Sequence, residues 1–310
     1  ESIARILRLE PVKKCKIASI VVSFGIGLSL IIIILIFLGF LGWLKPPFVW
    51  IVLILFLVIG IMDRNKLNYR TGSLISSFLQ LTKIDVFILL LLVSIALFYL
   101  LLALSPTFDG DSLAGYLLLP REYAKNYSIQ VVDYAMGSIY PQNGQLISTL
   151  GLLLNDQILA QLLVSWTMGL LCILTIYSIG IFLFNKNAAL VGVLIWYGTY
   201  SVAFLAQSAK IDLAWAAFDL LALYAFMQWY FSDLSKRKMK WLVLAGFFLG
   251  IAGGIKQVSL FTIILLMLAI TFRLFGKKEY RFITLIKSYS AFFIPVSIAG
   301  IWVIRSYLLT

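Results

Sequence analysis

Residues 84–105 read IDVFILLLLVSIALFYLLLALS, and residues 106–116 continue directly as PTFDGDSLAGY. The first block is long enough to cross a hydrocarbon core, which takes about 20 apolar residues. The second presents two carboxylates, Asp109 and Asp111, on either side of one glycine. A membrane span that delivers a small acidic turn to one surface is the pattern from which the rest of the chain is read.

Composition agrees with that pattern. The 310 residues are 62% hydrophobic and only 12% charged, with a mean hydropathy of +1.03. Soluble globular chains carry about 25% charged residues, so a soluble enzyme, a nucleic-acid binder and a disordered chain are excluded. The formal net charge of +12 does not mark a nucleic-acid partner, because the 25 Lys and Arg residues fall between apolar runs as membrane topology requires. Histidine is absent, which removes His-based acid–base chemistry, His metal ligands and Ser-His triads. Cys15 and Cys172 form no disulfide framework.

The apolar runs predict an all-α, polytopic transmembrane bundle of nine spans, at about 17–44, 48–62, 84–105, 157–184, 188–206, 211–231, 241–255, 258–275 and 288–306. Read as one helix, 241–275 would be about 50 Å long at 1.5 Å per residue, against a core of about 30 Å. Both its flanks are basic, so a hairpin turning near Lys256 is the better account. Placing the N-terminus in the cytoplasm leaves 19 of the basic residues inside and six outside: Lys45, Arg121, Lys125, Lys210, Lys256 and Arg305. That bias orients a multi-pass plasma-membrane protein. The first apolar run is too long for a signal-peptide core and has no small-residue cleavage site after it.

Two regions follow from this reading: a two-span hairpin with a cytoplasmic linker over 1–83, and a transmembrane core over 84–310 with one long outer loop, 106–156. The chain starts without Met and stops at Thr310 just after a span, so a longer natural protein is expected. No repeat of 20–50 residues recurs. A long loop on an otherwise tight bundle is where function concentrates.

Asp109 and Asp111 open that loop. Two carboxylates at a membrane rim suit a general base or a shared cation; the plain structural account is an Asx turn or helix cap. Leu113–Tyr127 reads as an interfacial helix broken near Pro120. Tyr140–Gln145 reads as a turn, and Leu146–Leu154 as a second interfacial helix. Tyr116, Tyr123, Tyr127, Tyr134 and Tyr140 suit either sugar stacking or an ordinary aromatic belt. Lys210 and Asp212 at the start of span 211–231, Lys256 in its hairpin, and Arg305 near the end of the last span reach the same surface. With Arg121 they make four outer cations where the inside-positive bias predicts few, which points to an anionic ligand such as a lipid phosphate; snorkelling is the alternative. Gly246, Gly250 and Gly254 form a small-residue stripe for close helix packing. Asp219 is the acid deep in a span.

A span ending in Pro, then Asp-Ser-Leu-Ala-Gly-Tyr-Leu-Leu-Leu-Pro-Arg-Glu-Tyr (111–123), then Tyr140-Pro141 and a short helix, resembles the first outer loop of GT-C membrane glycosyltransferases. The likeness is to the bacterial and archaeal branch related to protein O-mannosyltransferases and aminoarabinose transferases. Lys210-Ile211-Asp212-Leu213, the glycine-rich run Gly250–Lys256 and Trp302–Thr310 resemble that branch too, so the likeness covers about 84–310. It departs at Gly115-Tyr116, where members often carry Tyr-His.

The resemblance implies a polyprenyl-phosphate sugar donor, a lipid, glycan or protein acceptor, and an inverting transfer with an Asp general base early in the loop. Carried onto this chain, Asp111 is the first choice for the base and Asp109 the second. Lys256, Lys210, Arg121 and Arg305 would hold the donor phosphate, with Tyr116, Tyr140 and Asp212 near the sugar or acceptor. No cofactor is required; a metal shared by Asp109 and Asp111 would be Mg²⁺ or Mn²⁺ rather than Zn²⁺. A secondary transporter and a non-enzymatic scaffold subunit are the competing readings.

Overall fold

The computed structural model describes residues 16–62, 82–232, 236–276 and 282–309. Of the described residues 84% are helical, and no strand occurs among them. The basic segments at 5–14, 64–70 and 277–281, and the linker over 63–81, lie outside the described residues.

Helix α1 (Lys16–Phe40) ends where Gly42 takes a left-handed φ of +72°. The Trp43 N–H then reaches back to the Leu38 carbonyl at 2.7 Å and closes the helix. α2 (Pro46–Met62) starts on two prolines, which suit a first turn whose N–H groups have no partner anyway. α3 (Lys83–Ala103) is opened by a reciprocal cap: Thr82 Oγ1 takes the Asp85 N–H and Asp85 takes the Thr82 N–H. The Asp85 carboxylate also pairs with Lys186, so α3 is pinned at the end opposite to Asp109.

The loop after α3 runs through a π-turn (Asp111–Tyr116), α4 (Leu118–Asn126), a short 3-10 turn (Met136–Ile139) and α5 (Asn143–Leu154). The expected break near Pro120 falls instead at Leu117, since Pro120 sits in the first turn of α4, where no backbone donor is needed. α5 is not interfacial: Asn143 to Gly151 are all buried. Its glycines allow this. A Cβ on Gly151 would stand 2.3 Å from the Ala160 Cα, and one on Gly144 2.7 Å from Ile211.

α6 (Gln157–Gln161) passes through a π-turn (Leu162–Trp166) into α7 (Thr167–Leu183). α8 (Lys186–Tyr197) and α9 (Tyr200–Ala206) are bent by 69° to each other. α10 (Asp212–Tyr230) is the central helix and packs on α7 and α11 (Lys236–Gly253). α12 (Ser259–Gly276) follows the Lys256 turn; α13 (Phe282–Val296) and α14 (Gly300–Leu309) complete the bundle. Gly25 of α1 fits against Leu221 of α10 and Phe248 of α11, so the first helix runs along the same core.

Four helical stretches among the described residues are long and apolar enough to cross a membrane: Ile17–Phe40, Lys83–Ala103, Gln157–Leu183 and Phe282–Leu308. The bent pair α8–α9 makes a fifth if taken as one span. Pro46–Met62, Met239–Gly253 and Ser259–Phe275 are apolar but shorter, so the nine spans read from the sequence exceed what helix length and composition support. Exposed Leu, Ile and Phe side chains cover α2 and the outer side of α12, a surface that belongs in lipid rather than water. This is a multi-pass helical membrane protein.

The glycine stripe sets the packing of α11. A Cβ on Gly246 would lie 2.0 Å from the Phe292 carbonyl oxygen, and one on Gly250 2.6 Å from that of Pro295. Backbone cannot step aside as a side-chain tip can. Gly246→Ala is therefore expected to destabilise the protein by about 1–3 kcal/mol, the usual range for overpacking. Gly27→Ala, where a Cβ meets nothing within 4 Å, serves as the control in thermal unfolding in detergent. Equal midpoints for the two variants would refute this packing.

Candidate active site

Three backbone segments meet at the end of α3. One is the Asp109–Ser112 turn, the second the 207–211 connection before α10, the third the turn that carries Lys256. Asp109 Oδ2 accepts from Ser112 twice, from its N–H at 3.1 Å and its Oγ at 2.9 Å. Ser112, fully buried, takes the Ala209 N–H on its Oγ at 3.2 Å. Lys210 follows directly, and its Nζ stands 3.0 Å from Asp111 and 3.3 Å from Asp109. Two residues on, Asp212 pairs with Lys256 at 2.6 Å. The Lys256 ammonium lies 5.8 Å above the Tyr116 ring, and Lys210 lies 5.0 Å from the Phe204 ring.

Two buried polar residues of the α6–α7 stretch hold this arrangement. Gln161 donates to the Ala103, Ser105 and Gln207 carbonyls at 3.1, 3.2 and 2.8 Å. Ser165, four residues later, bonds the Ser208 and Lys210 carbonyls. Asn143 does similar work beside Lys256. Its N–H donates to Gly254 and its Nδ2 to Ile251, while its Oδ1 accepts from Trp302. Only glycine fits at 254, since a Cβ there would stand 2.1 Å from Asn143 Nδ2. Sequence reading alone gives Ser112, Gln161, Ser165 and Asn143 no role in the site. The available signal was two uncharged polar residues four apart, 161 and 165, in an apolar run.

Asp109, Asp111, Lys210, Asp212, Lys256 and Tyr116 thus come together. The other expected site residues stand apart. Arg121 is exposed and donates to Gln157 Oε1 at 2.5 Å. Arg305 is buried, donates to the Ser138 and Gln130 carbonyls at 2.7 and 3.1 Å, and walls an apolar cavity of about 470 Å³ beside α1 and α14. Tyr140 is exposed, with its carbonyl held by Gln142. As for a metal, an ammonium already stands between Asp109 and Asp111. No group of three or more Asp, Glu or Cys side chains in metal-binding geometry occurs among the described residues. The donor set present fits a lysine rather than a divalent ion.

Burial pushes the Asp109 carboxyl upward, but Ser112 and Lys210 outweigh it and hold the group below its ordinary 3.8. Hydrogen bonding to Asp111, helped by Asp109 and opposed by burial, raises Lys210 above its ordinary 10.5. The signs give a pH window. Stability from Asp109 is fully present above its unfolded value and is lost as pH falls through the lowered one; that from Lys210 is present below its unfolded value and is lost as pH rises through the raised one. The stability difference between the parent and Asp109→Asn should therefore be constant near neutrality and shrink below about pH 4. Unfolding followed against pH checks this, and a difference that grows on acidification would contradict the assignment.

Fold and site together define a helical, multi-pass membrane protein with an ionic cluster of two lysines and three carboxylates at one end of its bundle. The family model described as dolichyl-phosphate-mannose-protein mannosyltransferase matches residues 141–302, just over half of the chain, and the protein belongs to that family. The match takes in Lys210, Asp212 and Lys256 and begins after Asp109 and Asp111. An uncharacterized protein of Shigella flexneri is 30% identical over 139 residues; the alignment spans 44% of this chain and 65% of that protein. No solved structure matches the chain.

Proposed function

We propose that this protein moves a sugar, with inversion, from a polyprenyl-phosphate carrier to an acceptor hydroxyl at the extracytoplasmic face of the plasma membrane, its N-terminus in the cytoplasm. The observation that carries the reading is the Lys210 ammonium between Asp109 and Asp111, beside the Lys256–Asp212 pair. The acceptor oxygen attacks the anomeric carbon, the bond from that carbon to the phosphate oxygen breaks, and the lipid phosphate leaves with the bonding electrons. Asp111 takes the hydroxyl proton.

The two carboxylates differ in a way that separates their roles. Asp111 has a side chain 74% exposed and one partner, Lys210; an exposed pair of this kind contributes about 0–1 kcal/mol. Asp109 accepts from three donors and is 25% exposed, and charge-assisted bonds contribute about 1.5–3 kcal/mol each. An incoming phosphate therefore displaces Asp111 from Lys210, not Asp109. The freed carboxylate faces the acceptor, while Asp109, tied to Ser112 and Lys210, keeps the ammonium in place. Arg121 and Arg305 leave the donor set in this reading, being engaged elsewhere. Tyr116, under Lys256, offers an aromatic face to the sugar.

The cluster holds three carboxylates against two ammonium groups, so a phosphate binds by exchanging partners on both lysines. Lys256→Ala removes one charge-assisted bond of about 1.5–3 kcal/mol, about one to two decades of affinity at 1.4 kcal/mol per decade. Binding of a polyprenyl-phosphate sugar should weaken by that factor and binding of the uncharged polyprenol much less. Equal weakening of both would show that the hairpin had been disturbed instead. An unchanged affinity for the phosphate sugar would sink the donor-site assignment.

A further inference from the structure

Asp219 lies seven residues after Asp212 on α10, about 10 Å further along the axis. A half-buried carboxylate on the central helix of an apolar bundle is costly unless it has a cation or is fully hydrogen-bonded. Here no Lys or Arg among the described residues pairs with it. Ser259 donates to one oxygen at 2.9 Å and Thr262 to the other at 2.8 Å. The Ser259 hydroxyl in turn accepts from Trp215 Nε1 at 2.7 Å. Both hydroxyls belong to the first turn of α12, immediately after the Lys256 turn, and the Ser259 N–H donates to the Lys256 carbonyl at 3.3 Å. The opposite side of α12, with Leu260, Phe261, Ile264, Leu265 and Leu268, is exposed. These polar bonds therefore fasten the start of α12 to α10.

We propose that Asp219 is a positioning residue for Lys256. As a hydrogen-bond acceptor rather than as a charge, it clamps the first turn of α12 to α10 and so keeps the Lys256 ammonium on Asp212 and over Tyr116. Only its consequence for catalysis rests on the donor-phosphate reading above.

Asparagine supplies one acceptor oxygen and one donor to the same two hydroxyls, whereas leucine supplies neither. The full chain in detergent is compared as parent, Asp219→Asn, Asp219→Leu, Lys256→Ala and the Leu/Ala double variant. The first readout is the rate at which a succinimidyl ester acylates Lys256, measured by peptide mass spectrometry. The expected result is a several-fold faster reaction in Asp219→Leu and a parent-like rate in Asp219→Asn. The second readout is affinity for farnesyl phosphate. Asp219→Leu should lose as much as Lys256→Ala, about one to two decades, and the double variant should lose no more than either single change. Faster acylation with unchanged phosphate binding would uphold the clamp and remove Lys256 from the donor site. An Asp219→Asn variant as impaired as Asp219→Leu, or additive losses in the double variant, would overturn the proposal. Should Asp219→Leu fail to fold, Ser259→Ala/Thr262→Val breaks the same bonds from α12 and must speed acylation in the same way.

Discussion

Asp111→Asn is expected to lower sugar transfer by about 10²–10⁴-fold, the range that a positioned general base contributes, while leaving folding and donor binding close to those of the parent. The exposure of Asp111 explains why stability is spared: its side chain has Lys210 as its one partner and reaches solvent. Asparagine keeps the shape and still accepts a hydrogen bond from the ammonium, so only proton acceptance is lost. Asp109→Asn should behave differently, with a smaller loss of rate and a larger loss of stability, because Ser112 and Lys210 both bond that carboxylate. Transfer rates and thermal midpoints measured on both variants separate the roles. Near-normal turnover in Asp111→Asn would end its assignment as the base, and an equal loss in both would mean that the pair acts as one unit.

Lys210→Ala is expected to have the second largest effect, through two routes. Donor binding should weaken by about one to two decades, since one charge-assisted bond to phosphate disappears. In addition, Asp109 would lose the ammonium that helps hold its carboxyl below the ordinary 3.8. Unfolding followed against pH should therefore show a smaller loss of stability on acidification than in the parent. Lys210→Arg keeps the charge and should restore the parent's pH dependence even if affinity stays reduced. A pH dependence unchanged in Lys210→Ala would show that the ammonium does not act on Asp109.

Much of this arrangement is legible in the chain without coordinates. The run 241–275 is too long for one span, and the structure turns it at Gly254–Val258 as expected, because a glycine-rich end and a lysine cannot continue an apolar helix through lipid. The acidic turn after α3, Lys210–Asp212 and Lys256 gather at one end of the bundle. Alternating direction along successive helices puts them there without any knowledge of side-chain contacts.

Other features depend on the path of the loops. Four outer cations look equivalent in sequence, yet Lys210 and Lys256 meet carboxylates, Arg121 meets Gln157 and Arg305 meets two carbonyls. The sequence reads as a turn over Tyr140–Gln145 and an interfacial helix over Leu146–Leu154. Gly144 and Gly151 instead let α5 be packed inside, where Thr149 bonds the Gln145 carbonyl and Asn143 that of Ile251. Periodicity cannot distinguish a polar residue facing headgroups from one facing a neighbouring backbone.

Hydropathy and charge placement determined by themselves that this is a helical membrane protein with Asp109, Asp111, Lys210, Asp212 and Lys256 at one rim. Water–lipid transfer acts on each segment independently, so its outcome can be read one run at a time. The tertiary structure alone decided which ammonium sits between which carboxylates and how Gln161, Ser165 and Asp219 hold them. Hydrogen bonds and ion pairs require partners within about 3 Å, and residues 40 to 100 positions apart reach that distance only once the bundle has closed.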